Sequence, residues 1–306
     1  MVLKRIVVTG AAGMVGRHLL AALGDAGFDA VPSSRRRSGS TPTADPWVEW
    51  DLGDWKTPKE LDAMFPNIDA VVHAGAAVPS GNRLIDDKTM LGVNVQSCLC
   101  LGEWALERNI PIVFISGAIV YAEPETSGIR EDAPRSGERF GGFYGASKFQ
   151  AECTFESLAE RGLSVAILRP SSIYGDGLPE DKMVIQFLAA AAENKAIELT
   201  PPIDDRIDLV HASDVARAAI LALEKEAWEI FNIALGEPVT VEEIAQSCIR
   251  VVGAGSVVVS REPAKRKATT RFGLDITRAR TTLGYRPQVM LDDGLRQMTQ
   301  NTATMP

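Results

Sequence analysis

The first sixteen residues constrain the fold most, because they place a short apolar run directly before closely spaced glycines. Residues 6–8 are β-branched, as is typical of a buried strand, and an amphipathic helix is expected from Met14. Between them, Gly10, Gly13 and Gly16 allow a tight turn, close approach of a ligand to bare backbone and close packing of the helix. Unpaired N–H groups at the helix start suit a pyrophosphate, so the segment predicts a dinucleotide site.

The chain of 306 residues has an ordinary globular composition, with 45% hydrophobic and 24% charged residues. That length is enough for one large domain or for two lobes that share a sheet. The net charge of -8, with no basic stripe to offset it, argues against nucleic acid as a partner. No apolar stretch reaches the roughly 18 residues of a membrane span, and the four cysteines lack the spacing of a metal site. We therefore expect a cytoplasmic protein without a bound metal ion or a membrane partner.

The residues after the second expected strand, at 28–31, bear on the choice of cofactor. Enzymes that prefer NAD place Asp or Glu about 20 residues past the glycine loop, where the carboxylate binds the ribose hydroxyls. That position falls close to Ser34, and the residues present are Ser33, Ser34 and Arg35. Hydroxyls and a guanidinium can bind a 2′-phosphate that a carboxylate would repel. The segment predicts NADP, with NAD as the alternative cofactor and a solvated basic loop as the alternative interpretation.

Strand and helix patterns alternate along the first half of the chain. Strands are expected at 47–51, from residue 68 and from residue 111, and long helices at 88–108 and 141–161. This alternation predicts an α/β protein with a parallel, doubly wound sheet.

Tyr144 and Lys148 are spaced by four residues within the helix expected at 141–161, so they lie on the same face. A phenol by itself ionises near pH 10. A neighbouring ammonium, together with a positive nicotinamide ring, favours the phenolate and should lower the pKa of Tyr144. Tyr144 could then move a proton to or from a substrate oxygen near neutral pH, while Lys148 also reaches the ribose. The alternative is an ordinary surface pair on a helix.

These segments and several others resemble one family along nearly the whole chain. The chain is similar to the extended short-chain dehydrogenases/reductases known as the NAD-dependent epimerase/dehydratase family. The segments that carry the resemblance are T-G-A-A-G-M-V-G at 9–16, D-L at 51–52, V-V-H-A-G-A-A at 71–77, N-V at 94–95, Y-G-A-S-K at 144–148, L-R-P-S-S-I-Y-G at 168–175, R-I-D-L-V-H-A-S-D-V-A at 206–216, F-N-I-A at 231–234, L-D-I-T-R-A-R at 274–280 and L-G-Y-R-P at 283–287. They are specific for the family and not for its substrate.

The resemblance implies a Rossmann-type doubly wound parallel sheet with a smaller C-terminal substrate-binding lobe. Residues 1–170 would form the dinucleotide-binding domain, which residues at about 207–235 rejoin. Residues 171–206 and 236–306 would form the smaller lobe. The resemblance also implies a homodimer in which the long helices of two copies pair.

The resemblance further assigns roles to individual residues. Tyr144 would be the acid/base and Lys148 its partner. The residues expected at the cofactor are Gly10, Gly13, Met14, Val15 and Gly16 in the glycine loop, Asp51 and Leu52 beside the adenine, Ala74, Gly75 and Ala76 along the channel, and Asn94, Pro170, Tyr144 and Lys148. The residues expected at the substrate are Ser172 and, near a diphosphate, Arg206.

One position departs from the family pattern. Where the family carries two hydroxyl residues, this chain has Ser116 followed by Gly117. The catalytic hydroxyl is normally the second one, and successive side chains on a strand face opposite ways. Either a shifted loop brings Ser116 to the substrate, or another hydroxyl serves, or the site is weakened; Ser116 is the first choice. The acids that the family's dehydratases carry here are also missing, which argues against 4,6-dehydration.

Together these features predict an NAD(P)-dependent oxidoreductase or epimerase. The expected reaction passes a hydride between the nicotinamide and a hydroxyl or ketone carbon of a nucleotide-linked sugar. One alternative is an NADPH-dependent carbonyl reductase of a small non-nucleotide ketone. The other is a regulatory protein that binds NADP without turnover, which the Tyr144–Lys148 pair argues against and Gly117 argues for.

Overall fold

A computed structural model describes the fold at residues 4–35, 47–80, 84–123, 126–136, 138–200, 202–260 and 271–302. The strands are β1 (Arg5–Thr9), β2 (Asp29–Ser34), β3 (Val48–Glu49), β4 (Ala70–His73), β5 (Ile112–Ile115), β6 (Val165–Pro170), β7 (Ser172–Tyr174), β8 (Ala196–Leu199), β9 (Arg206–Ile207), β10 (Leu209–His211), β11 (Ile230–Ile233), β12 (Val239–Thr240) and β13 (Ser256–Val259). The α-helices are α1 (Met14–Asp25), α2 (Pro58–Met64), α3 (Asp87–Leu91), α4 (Ser97–Arg108), α5 (Glu138–Glu160), α6 (Met183–Ala192), α7 (Ala212–Glu224), α8 (Val241–Val252) and α9 (Leu291–Thr302).

Seven parallel strands form the central sheet in the order β11-β6-β5-β4-β1-β2-β3. Side chains alternate along each strand, so each face of the sheet presents its own apolar set to a layer of helices. Ile6 and Val8 lie in the core shared with α1 and α7, whereas Val7 lies in the core shared with α4 and α5. The predicted Rossmann-type doubly wound sheet is confirmed. Its parallel strands all end at one edge, where ligands bind in sheets of this kind.

Beyond β6 the chain forms a smaller lobe from short paired strands and three helices. In this lobe β7 pairs with β10, β9 with β12 and β8 with β13. Its core lies between α6, α8 and α9, around Leu188, Ile244 and Leu295. The chain returns to the central sheet at β11, which pairs with β6, and α7 packs on α1. A substrate-binding role for this lobe, with the boundaries given above, stays a prediction.

Three elements differ in detail from the sequence pattern. The single helix expected at 88–108 consists of α3 and α4 joined by a wider π-helical turn at Gly92–Gln96. Helix α5 begins earlier than expected, and its backbone leaves helical geometry at Gly142, where φ is 51°. Strand β2 continues through Ser34, because Ser33 still pairs with Thr9 of β1 and Ser34 pairs with Glu49 of β3.

Within the part of the chain that the structure describes, none of the helices combines the length and the apolar character needed to cross a membrane.

Two glycines of α1 allow a matched test of how closely this helix packs on the glycine loop. A methyl group on Gly16 would overlap the Gly10 carbonyl oxygen, whereas one on Gly24 would meet nothing within 4 Å. Gly16→Ala should therefore lower the free energy of unfolding by about 1–3 kcal/mol, as overpacking does. Gly24→Ala should raise it by about 0.5–1 kcal/mol, because alanine favours the helix. Urea denaturation measures both, and equal effects of the two changes would contradict the close packing.

Candidate active site

The loops that follow β1, β3 and β4 pack closely against one another, with glycines at two of the contacting positions. Gly10, after β1, has a φ of +67°, and a Cβ placed on it would lie 2.5 Å from the Gly75 Cα, after β4. A Cβ on Gly75 would overlap the Leu52 side chain, after β3. The Gly75 N–H also donates to Thr9 Oγ1 at 3.3 Å. Gly10, Leu52 and Gly75, which were predicted to contact the cofactor, therefore lie together at the carboxyl edge of the sheet.

The start of α1 leaves its first N–H groups open to an anion. The residue before the helix, Gly13, is exposed and offers no side-chain cap, and the first turn from Met14 contains no acid. Val15 is half-buried and Gly16 is buried in that turn. Uncapped N–H groups and the positive end of the helix dipole fit the pyrophosphate of a dinucleotide.

The end of β2 places the predicted ribose-side residues next to the loop that holds Asp51. Ser33 is buried and Ser34 is half-buried, and the Ser34 carbonyl accepts from the Trp50 N–H at 3.2 Å. Arg35 is exposed, with its Nε 4.0 Å from an Asp51 carboxylate oxygen. This segment can therefore line the adenosine end of a dinucleotide. Arg36 and Arg37, which continue the basic run, lie outside the described residues.

Asn94 connects the loop after β4 to the helix that carries Tyr144. Its Oδ1 accepts from the Ala77 N–H at 2.7 Å, and its Nδ2 donates to Ser147 Oγ at 2.9 Å. Ser147 Oγ donates in turn to the Tyr144 carbonyl at 2.7 Å. Asn94 sits in the π-helical turn, a feature that is frequent at functional sites. These bonds fix the helical turn that carries Tyr144 relative to the loop after β4. That loop includes the half-buried Ala74 and Ala76.

Lys148 is buried beneath this turn. Its Nζ donates to the Ile115 carbonyl at 2.8 Å and lies 4.4 Å from the centre of the Phe114 ring, at a cation–π distance. Burial lowers the pKa of Lys148 to about 8, against the opposing influence of Cys98 and Glu152. The ammonium form still predominates at neutral pH.

Tyr144 differs from the expectation in its acidity. Burial raises its pKa to about 12 instead of lowering it. The Lys148 ammonium is directed to the Ile115 carbonyl, and desolvation of the phenolate prevails. The lowering of the Tyr144 pKa expected with a nicotinamide ring beside the phenol stays a prediction; in the protein chain, burial acts in the opposite direction.

Ser116 faces a buried ion pair. Its Oγ donates to Glu152 Oε1 at 2.6 Å, and Glu152 also binds the Arg169 guanidinium at 2.8 Å. Arg135 donates to the second Glu152 oxygen at 2.7 Å. Arg169 further donates to the Tyr121 hydroxyl at 3.0 Å. A catalytic role for Ser116 stays a prediction, and it would require the hydroxyl to leave the carboxylate that it now binds.

Glu152 and Arg169 were not singled out from the sequence, although two signals point to them. Glu152 follows Lys148 by four residues and so lies on the same helix face as Tyr144. Arg169 is the one charged residue in β6, a strand that is buried throughout. A charge inside such a strand requires a partner, which the helix supplies.

Gly117 leaves a gap where a side chain would fit. Its φ of 178° is extended, and a Cβ there would meet Ile119 Cγ2 at 3.6 Å, an ordinary contact distance. The backbone therefore accepts a hydroxyl residue at this position without strain, and the chain does not provide one.

The remaining predicted residues lie at the junction of the two lobes and in the smaller lobe. Pro170 is buried at the end of β6, and Ser172 is exposed at the start of β7. Arg206 is exposed in β9 and donates to the Pro238 carbonyl at 2.9 Å, so part of its guanidinium is already engaged. In the described ranges no three His, Cys, Asp or Glu side chains are grouped to hold a metal ion.

The fold and these contacts define a class of protein. In this class, a glycine loop, an uncapped helix start and a Tyr–Lys helix meet at one edge of a parallel sheet. Residues 6–234 match the model of the NAD dependent epimerase/dehydratase family. The chain belongs to that family, and the resemblance found in the sequence is confirmed. It is an enzyme of a family whose cofactor is a nicotinamide dinucleotide.

The proteins to which this chain is similar are named for several different reactions on nucleotide sugars. A putative UDP-glucose 4-epimerase from Methanocaldococcus jannaschii is 28% identical over 96% of each chain. A UDP-glucose 4-epimerase from Azospirillum brasilense is 31% identical over 81% of this chain and 78% of its own length. The solved structure of MoeE5 in complex with UDP-glucose and NAD is 25% identical, with a TM-score of 0.81 over 98% of this chain and 100% of the other. Relatives also include dTDP-sugar reductases and 4,6-dehydratases.

Proposed function

We propose that the protein is an NAD(P)-dependent oxidoreductase or epimerase that acts at a hydroxyl or ketone carbon of a nucleotide-linked sugar. The observation that carries the proposal is that one loop joins the two halves of the site. Gly75 of this loop lies against Gly10, and Ala77, two residues further along, bonds Asn94, which is linked through Ser147 to Tyr144. These contacts support a dinucleotide and a phenol meeting at the same edge of the sheet. The UDP-sugars named for its relatives support the substrate class.

In this proposal the residues of the chain accept and return the proton of the substrate hydroxyl. The nicotinamide, when bound, would donate or accept the hydride. Tyr144 takes the proton of the substrate hydroxyl in the oxidising direction and returns it in the reducing direction. Since burial raises its pKa to about 12, Tyr144 depends on nearby positive charge, which Lys148 carries below its own pKa of about 8. Asn94 and Ser147 hold the turn in place.

We propose further that the enzyme does not carry out 4,6-dehydration. Elimination of water requires an acid at the leaving hydroxyl. The turn after β5 carries Gly117, Ala118 and Ile119, none of which ionises. The buried carboxylate of Glu152 is already bound by two arginines and Ser116.

We also propose a homodimer. Leu91 and Leu99, on the segment formed by α3 and α4, are each 37% exposed. Long helices with exposed apolar side chains can bury them against a second copy of the chain. Light scattering at micromolar concentration should give twice the mass of one chain, and the mass of a single chain would refute the dimer.

The proposed preference for NADP rests on the absence of an acid at Ser34. Ser34→Asp should weaken NADPH binding about tenfold or more, because the carboxylate repels the 2′-phosphate, and should improve NADH binding through the ribose hydroxyls. Ser34→Asn is the control of similar size without the charge. Fluorescence titration with both reduced cofactors measures the change. Tighter binding of NADH than of NADPH by the wild-type protein would be the contrary result.

The test of the reaction supplies UDP-glucose or dTDP-glucose together with NAD or NADP. Proton NMR of the sugar detects inversion of a carbon, or the keto product of dehydration. Absorbance of released reduced nicotinamide indicates a dehydrogenase or reductase instead. Tyr144→Phe should reduce turnover by about 10²–10⁴-fold and leave cofactor affinity nearly unchanged, because only the proton is lost. Full turnover in that variant, at an unchanged melting temperature, would remove Tyr144 from its assigned role.

A further inference from the structure

A hydroxyl that faces the catalytic helix has no assigned role. Ser171 directly follows β6 and is only 7% exposed. Its Oγ is buried and has no hydrogen-bond partner among the residues that the structure describes. A buried hydroxyl without a hydrogen-bond partner is unfavourable, so we expect a bound group to form a hydrogen bond with it.

The direction of the Ser171 side chain follows from the strand. The Ser171 N–H donates to the Ile233 carbonyl at 2.9 Å, which continues the pairing of β6 with β11 past Pro170. Because side chains alternate, Ser171 faces the same side of the sheet as Arg169. Arg169 binds Glu152 of α5 at 2.8 Å, so this is the side of the catalytic helix.

The height of Ser171 above this ion pair follows from the spacing of the two elements. Helix α5 returns the chain from the end of β5 to the start of β6 and therefore runs opposite to the strands. From Glu152 back to Lys148 the helix rises about 6 Å toward the carboxyl edge. From Arg169 to Ser171 the strand advances about 6.6 Å in the same direction. Ser171 is thus level with Lys148, about one helical turn below Tyr144.

The proposed reaction calls for a second hydrogen-bond donor on the side of the sheet that carries Tyr144. When an alcohol and a ketone interconvert, negative charge develops on the oxygen, and a positioned hydrogen-bond donor besides the acid/base stabilises it. The Ser116 hydroxyl already donates a hydrogen bond to Glu152, and Gly117 carries no side chain. Ser171 is the buried hydroxyl on this face that remains unpartnered within the described ranges.

We propose that Ser171 donates the second hydrogen bond to the oxygen of the reacting carbon and that Ser116 serves as an anchor of the buried ion pair. This inference rests on the proposed function. In the oxidising direction the hydride leaves the carbon for the nicotinamide, and the hydroxyl proton passes to Tyr144. Ser171 keeps its own proton and transfers nothing.

Removal of the hydroxyl should affect mainly kcat at Ser171 and mainly stability at Ser116. Ser171→Ala should reduce kcat by about 10–1000-fold, as loss of such a donor does. It should leave cofactor binding unchanged and the melting temperature of the ligand-free protein unchanged or higher, because an unpartnered polar atom is removed. Ser116→Ala should lower that melting temperature and reduce kcat less, because a buried carboxylate loses a donor. Ser157→Ala, at an exposed serine of α5, is the control for both readouts.

The assay uses the wild-type protein and the three variants with UDP-glucose, UDP-glucuronic acid and dTDP-glucose, and the melting temperature is measured without ligand. If wild type and Ser157→Ala turn over a sugar and Ser171→Ala does so equally well, the role of Ser171 is overturned while the proposed function stands. A lower melting temperature of ligand-free Ser171→Ala would equally overturn it, since the hydroxyl would then have a structural partner. If no protein transfers a hydride with any of these sugars, the proposed function fails, and this inference fails with it.

Discussion

The ion pair between Glu152 and Arg169 joins α5 to the central sheet. Both side chains are fully buried, and their closest atoms are 2.8 Å apart. Two charges removed from water are tolerated only when further hydrogen bonds satisfy them. Here Arg135 and Ser116 donate further hydrogen bonds to Glu152. The Tyr121 hydroxyl and the Glu131 carbonyl accept hydrogen bonds from Arg169. The register of α5 against β5 and β6 depends on this group of bonds.

That register determines which side chains of α5 lie near the carboxyl edge of the sheet. One turn above Glu152, Lys148 reaches the Ile115 carbonyl at the end of β5, and one turn further stands Tyr144. Asn94 is joined to the same turn through Ser147. The ion pair also engages the Ser116 hydroxyl, which donates to Glu152 Oε1 at 2.6 Å.

Burial acts on the two ionisable groups of the site in opposite directions. It raises the pKa of Tyr144 to about 12 and lowers that of Lys148 to about 8, because each charged form loses its hydration. Both shifts disfavour the charged forms, which are the Tyr144 phenolate and the Lys148 ammonium. A positively charged group beside the phenol would favour the phenolate, so the acid/base strength of Tyr144 depends on what binds next to it.

The sequence by itself determined the parallel α/β sheet, since the run at residues 6–8, the glycine loop and the later alternation of strands and helices are local patterns. It also predicted the Tyr144–Lys148 face, which depends only on helical spacing, and the family. Only the tertiary structure decided which group the Ser116 hydroxyl binds, because Glu152 and Arg169 meet across different elements and no local pattern records that contact. The direction of the Tyr144 pKa was decided in the same way, since desolvation depends on the side chains that surround a group in the folded protein.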